Sequence, residues 1–100
     1  MKEISIKEFL KINTKDLQII DVRERYEYES GNIDAIHIPM DQILHSINKI
    51  DLNKQVIIYC QTGRRAASVI YMLNKEYNLN NIFNLTGGYE AYLNLKEKRD

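Results

Sequence analysis

Cys60 is the only cysteine in the chain, and its neighbours on both sides bear on its chemistry. Before it runs Val56-Ile57-Ile58-Tyr59, an apolar and β-branched stretch that reads as a buried strand. After it come Gln61-Thr62-Gly63, which must turn the chain, and then Arg64-Arg65-Ala66, which open an amphipathic run. A turn between a strand and a helix can aim several backbone N–H groups at one point. The helix N-terminus adds donors without intrahelical partners and a partial positive charge. Together these make an anion-binding concavity. Gly63 suits a positive φ within such a turn, and Arg64 and Arg65 bring two full charges. The same surroundings favour a thiolate on Cys60, the nucleophilic form of the side chain. The competing reading is a buried, inert thiol that merely ends a strand. The glycine and the arginine pair at the junction tilt the balance toward a reactive sulfur that faces small anions or carries an anionic product.

Several elements must position that loop. The spacing predicts a first strand at Lys2–Ser5 and a helix opened by the capping-box pair Ser5 and Glu8. Leu17–Val22 reads as a buried strand and Glu24–Ser30 as a short polar helix stopped at Gly31. Ala35–Ile38 gives a third strand, closed by Pro39. A helix is predicted over Asp41–Asn48, with Ile43, Leu44 and Ile47 inward. Arg64–Tyr77 is the clearest helix, with Ala66, Ala67, Ile70, Leu73 and Tyr77 on its core face. Asn81–Leu85 is a fifth strand, Gly87-Gly88 a turn, and Tyr89–Lys96 a last helix. Short apolar strands alternating with helices indicate an α/β domain with a mainly parallel sheet. In such sheets ligands gather beyond the carboxyl ends of the strands, where Asp21 and Cys60 both fall.

Composition narrows the class. One hundred residues, 44% hydrophobic and 28% charged, are enough for one core, so a single domain over residues 1–100 is expected. Fourteen basic and fourteen acidic residues cancel and are scattered, which argues against nucleic acid and anionic membranes as partners. One cysteine excludes an internal disulfide, and with two histidines it disfavours a zinc site. The first residues lack the apolar core of a signal peptide and no run reaches membrane-spanning length, so a cytoplasmic protein is expected.

Four ordered segments resemble rhodanese-like sulfurtransferases. Cys60-Gln61-Thr62-Gly63-Arg64-Arg65-Ala66 is similar to that family's active-site loop, Cys-x-x-Gly-x-Arg followed by Ser or Ala. Asp21-Val22-Arg23-Glu24 with Glu27-Tyr28 resembles its Asp-Val-Arg-Glu…Glu-Tyr element. Gly31 to Pro39 resembles its Gly-His-Ile…Gly-Ala-x-x-Ile-Pro element, with Asn32 in place of the usual His and one residue fewer. Leu85-Thr86-Gly87-Gly88-Tyr89-Glu90-Ala91-Tyr92 is similar to its terminal Leu-x-Gly-Gly-x-x-Ala-Trp, with Tyr92 for Trp.

The resemblance implies a small, mainly parallel five-stranded sheet flanked by helices on both faces. It also implies a two-step reaction without metal or organic cofactor. Cys60 would take the outer sulfur of thiosulfate or another small anionic sulfur donor and pass it to cyanide, a thiol or a protein acceptor. Amides from Gln61, Thr62, Gly63, Arg64, Arg65 and Ala66 would hold the persulfide. Arg65 would hold the loop and its charge, and Arg64 would meet the donor at the mouth. The chain is expected to work as a monomer or weak homodimer.

Asp21 and Arg23 are read as supports. The four-residue spacing of Arg23 and Glu27 suggests an ion pair between them that orients the loop. His37 and His45 have no sequence partner that would make either a base for Cys60. Gly87-Gly88 is a turn that this fold class could bring to the crevice, and the tyrosines are read as core and rim. Three rival functions share these residues. Cysteine phosphatases and arsenate reductases have five residues between Cys and Arg, whereas Cys60 and Arg65 enclose four, a ring better suited to one sulfur than to phosphate. A regulatory module that lost activity would be expected to lose Cys60 as well. A persulfide carrier loaded by a partner protein would retain every residue named.

Overall fold

The computed structural model describes residues 1–99. Ser5 caps the first helix as its spacing predicts: its hydroxyl accepts from the Glu8 N–H, and the Glu8 carboxylate accepts from the Ser5 N–H. That turn, α1 (Ile6–Phe9), follows the short strand β1 (Glu3–Ile4). The remaining strands are β2 (Leu17–Asp21), β3 (Ile36–His37), β4 (Gln55–Tyr59) and β5 (Ile82–Leu85). Between and after them come α2 (Arg25–Ser30), α3 (Arg64–Tyr77) and α4 (Gly88–Arg99). The strands form one five-stranded sheet in the order β1-β5-β4-β2-β3, and every pairing is parallel.

Alternation along β4 divides the core between two faces. Val56, Ile58 and Cys60 point toward α3, where they meet Ala66, Val69, Ile70 and Leu73. Ile57 and Tyr59 point to the other face, where Ile6 and Phe9 of α1 pack and Tyr89, Tyr92 and Leu95 of α4 lie against them. The sheet is therefore covered on both sides, which is why β4 reads as continuously apolar. Burial of each large aliphatic side chain stabilises the fold by about 1.5–3 kcal/mol. On α3 the core face runs through Val69; Ala67 is only half-buried and Tyr77 is exposed, its hydroxyl donating to the Leu44 carbonyl at 3.0 Å.

One predicted element is corrected. Asp41–Asn48 forms no α-helix; Ile43–His45 and Ile47–Lys49 are separate 3-10 turns broken at Ser46. The Ser46 hydroxyl donates to the Gln42 carbonyl at 2.9 Å, and its backbone leaves the helical region. Ser, His and Asn are weak helix formers in so short a segment. The turns still bury Ile43 and half-bury Leu44 and Ile47, so the inward positions are as the sequence indicates.

β2 and β4 lie side by side, with Asp21 level with Tyr59. The chain leaves β2 toward β3 on one side and leaves β4 toward β5 on the other. Diverging connections of this kind open a crevice at the carboxyl ends of the two strands.

Candidate active site

Cys60 follows the last residue of β4 and is 1% exposed. Its Sγ accepts two backbone hydrogen bonds, from Gly63 N at 3.1 Å and from Ala66 N at 3.3 Å. Gly63 is the N-cap of α3 with φ +104°, a conformation that an L side chain rarely adopts. This turn brings its N–H back onto the sulfur. The Ala66 N–H is a first-turn donor with no partner within the helix. The loop thus presents the Gly63 and Ala66 amides to the sulfur. Among the described residues no cluster of His, Cys, Asp and Glu is placed to hold a metal ion.

The outer side of the loop is held by α4. Tyr89 N donates to the Cys60 carbonyl at 2.9 Å and Glu90 N to the Gln61 carbonyl at 3.0 Å. With those carbonyls turned toward the α4 N-terminus, the loop amides are left free to face the cysteine. Gly88 permits the approach. A Cβ there would sit 2.7 Å from the Gln61 carbonyl oxygen and closer still to that of Cys60. Gly87-Gly88 is therefore part of the crevice as well as a turn. Its signal in the sequence is the pair of glycines between a strand and a helix.

Two ion pairs brace the site, and they are not the pair that the spacing of Arg23 and Glu27 suggests. Arg23 binds Asp21, with Nε 3.0 Å from both carboxylate oxygens and Nη2 2.7 Å from Oδ2; the two side chains are 2% and 0% exposed. Arg23 also donates to the Gly31 carbonyl at 2.6 Å and to Gln61 Oε1 at 3.2 Å. Its guanidinium lies 5.6 Å from the centre of the Tyr59 ring and 4.4 Å from that of Tyr89. Burial alone would lower the Arg23 pKa, but the hydrogen bonds and charge of Asp21 outweigh it and raise it. Burial pushes the neighbouring Tyr59 phenol up.

Glu27 pairs instead with Arg65, at 2.7 and 3.0 Å in a two-pronged bond across the mouth. The physical reason is position: α2 begins at Arg25, so Arg23 precedes the helix and shares no helical face with Glu27. The Arg65 hydrogen bond lowers the Glu27 carboxyl from 4.5 to about 2, against partial burial and with help from the Glu24 N–H. In return Glu27 raises the pKa of Arg65.

The other named residues separate clearly. Arg64 and Thr62 are exposed, and Arg64 makes no ion pair among the described residues. Gln61 is half-buried and is held through its side chain by Arg23. Ala66 is buried and serves through its amide. His37 places Nε2 2.7 Å from the Arg23 carbonyl and stacks on Tyr28, with ring centroids 4.7 Å apart, while His45 is exposed. Neither histidine hydrogen-bonds to Cys60. Sequence reasoning missed Asn84, a buried side chain that donates to the Gly63 carbonyl.

The chain is similar to known proteins in sequence and in fold. Residues 5–95 match the model of the rhodanese-like domain. The uncharacterized protein YqhL of Bacillus subtilis is 36% identical over 93 residues, spanning 92% of this chain and 72% of its own. Thiosulfate sulfurtransferase GlpE of Coxiella burnetii is 32% identical over 82 residues, 81% of this chain and 76% of its own. The crystal structure of a rhodanese-like domain protein from Staphylococcus aureus superposes with a TM-score of 0.82 at 35% identity, over 92% of this chain and 91% of that one. No described helix is long and apolar enough to cross a membrane.

Proposed function

Because the chain belongs to the rhodanese-like domain family, we propose that it is a sulfurtransferase that carries sulfane sulfur as a persulfide on Cys60. The supporting observation is the pair of amides, Gly63 and Ala66, on the sulfur of a buried cysteine at the β2–β4 crevice. In the first step the Cys60 thiolate attacks the outer sulfur of thiosulfate. A new S–S bond forms, the old one breaks, and its electron pair leaves with sulfite. The outer sulfur then bears the negative charge, which preorganised N–H donors stabilise without reorganising. In the second step a nucleophile attacks that outer sulfur and Cys60 leaves as thiolate. Cyanide would give thiocyanate, and a thiol or a protein cysteine would give a new persulfide.

Arg64, exposed at the mouth, would draw in the dianionic donor. Arg65 would hold the loop through Glu27. Phosphate chemistry is disfavoured because phosphate recognition uses an open arginine fork, and the Arg65 fork is taken by Glu27. A cytoplasmic setting, where the thiol stays reduced, fits this chemistry.

The test is intact mass spectrometry of reduced protein after exposure to thiosulfate and then cyanide, with Cys60→Ser alongside. A gain of one sulfur atom is expected, absent in the variant and removed by cyanide with release of thiocyanate. A reduced thiol that gains no sulfur would rule out thiosulfate as donor. Loading by a persulfide-bearing protein under the same conditions would then identify a carrier.

A further inference from the structure

Asn84 lies on β5 beside Ile58 of β4 and is 4% exposed. Its Nδ2 donates to the Gly63 carbonyl at 3.1 Å, and its Oδ1 is buried without a partner among the described residues. An amide with one end unsatisfied is a poor choice for stability, since an apolar side chain of the same size would avoid the desolvation. The Gly63 carbonyl does not need the bond either, because it already accepts from Ala67 N at 3.0 Å in the first turn of α3. What the second bond adds is direction. It fixes the Gly63 carbonyl from a second side, and through it the whole Gly63–Arg64 peptide plane.

A trans peptide sets its N–H opposite to its C=O. With the carbonyl held back toward Ala67 and β5, the Arg64 N–H points out of the α3 N-terminus. From that end the Gly63 and Ala66 amides reach Sγ. A second sulfur would stand about 2.0 Å beyond the first, in front of this row of donors. The Asn84 amide also lies 3.8–3.9 Å from the place a Gly63 Cβ would take, so displacing it disturbs the residue that holds Sγ.

We propose that Asn84 is a positioning residue for sulfur transfer: through the Gly63 carbonyl it aims the Arg64 N–H at the outer sulfur and steadies the Gly63 N–H on Sγ. This assignment rests on the sulfurtransferase reading, and its test separates the two. Asn84→Leu removes the hydrogen bond and the unpaired oxygen together, while Asn84→Asp keeps the shape and removes the donor at neutral pH. In the full chain, Asn84→Leu should melt at or above the wild-type temperature yet load sulfur from thiosulfate with kcat about tenfold lower. KM should stay within about twofold, because donor capture falls to the exposed Arg64 side chain. Asn84→Asp should lose at least as much kcat. Wild-type kcat in either folded variant would overturn the assignment, as would a loss of rate that only follows a loss of stability.

If wild-type protein takes no sulfur from any donor, the sulfurtransferase reading fails first. Alkylation of Cys60 by iodoacetamide at neutral pH then decides on Asn84 alone. The displaced Gly63 amide should slow alkylation of Asn84→Leu several-fold relative to wild type, and equal rates would reject a positioning role.

Discussion

The Asp21–Arg23 and Glu27–Arg65 pairs both tie the segment around α2 to the reactive loop, one at the foot of the crevice and the other at its rim. At the foot, Arg23 joins Asp21, the Gly31 carbonyl and Gln61 while lying against two tyrosine rings. At the rim, Arg65 spends its fork on one carboxylate, with side chains 34% and 17% exposed. Depth decides what each brace does. A buried ion pair contributes little over an apolar replacement, but removing one partner strands the other charge out of water. A rim pair is screened, and its loss is felt in the field at the mouth more than in the fold.

Breaking the foot should have the largest effect. Arg23→Ala leaves the Asp21 carboxylate buried and unpaired, and a loss of about 3–5 kcal/mol is expected, read as a lower urea midpoint. Arg23→Lys should recover only part, since an ammonium cannot reproduce the planar fork to Asp21 and Gln61. A cost below about 1 kcal/mol for Arg23→Ala would mean that water reaches Asp21 and that the two braces are alike. A backbone brace comes next in size. Gly88→Ala adds a Cβ against the Cys60 and Gln61 carbonyls at φ +64°, so about 1–3 kcal/mol of stability should be lost. Alkylation of Cys60 should change with it as the loop is pushed off α4. Unchanged alkylation would show that the loop amides do not depend on the α4 N-terminus.

At the rim, Glu27→Gln should cost less than about 1 kcal/mol but should lower KM for thiosulfate about threefold, because one negative charge leaves the path of a dianion. Raising the ionic strength should shrink that difference. A KM that rises instead would place Glu27 in donor binding and not merely in the brace.

The contrast also marks what a sequence discloses. The extent of α3 was legible, though not every residue of its core face, because the run from Arg64 to about Tyr77 repeats apolar positions at helical spacing directly after a glycine that must turn the chain. Asp21 and Cys60 were legible because each sits where a strand must end, and Gly63 because the turn into α3 needs a positive φ. The partners of Arg23 and Glu27 were not. Four-residue spacing implies contact only on a helix, and α2 starts too late to include Arg23. Asp41–Asn48 misled because its apolar positions fit a helix while Ser46 had a closer hydrogen-bond partner in the backbone. Asn84 gave no signal at all. It is one polar residue in the strand Ile82–Leu85, and its bond to Gly63 spans 21 positions.

The smallest effect is the pH dependence of the rim. In the folded chain the Glu27 carboxyl is held at about 2 by the Arg65 hydrogen bond, against an ordinary 4.5. Between those values the unfolded chain binds a proton that the native chain does not. The stabilisation is therefore fully present above the ordinary carboxylate range and is lost as pH falls toward about 2. Solvent at a pair one-third open on the arginine side leaves about 1 kcal/mol of it in play. Urea unfolding of wild type and Glu27→Gln, followed from about pH 6 to about pH 2, should show two curves that are separated at the upper end and converge at the lower. Protonation of Glu27 does to the wild type what the amide has already done to the variant. A separation that stays constant over the whole interval would mean that Glu27 is not held through its charge, and the rim would then be a neutral hydrogen-bonded brace, unlike the ion pair at the foot.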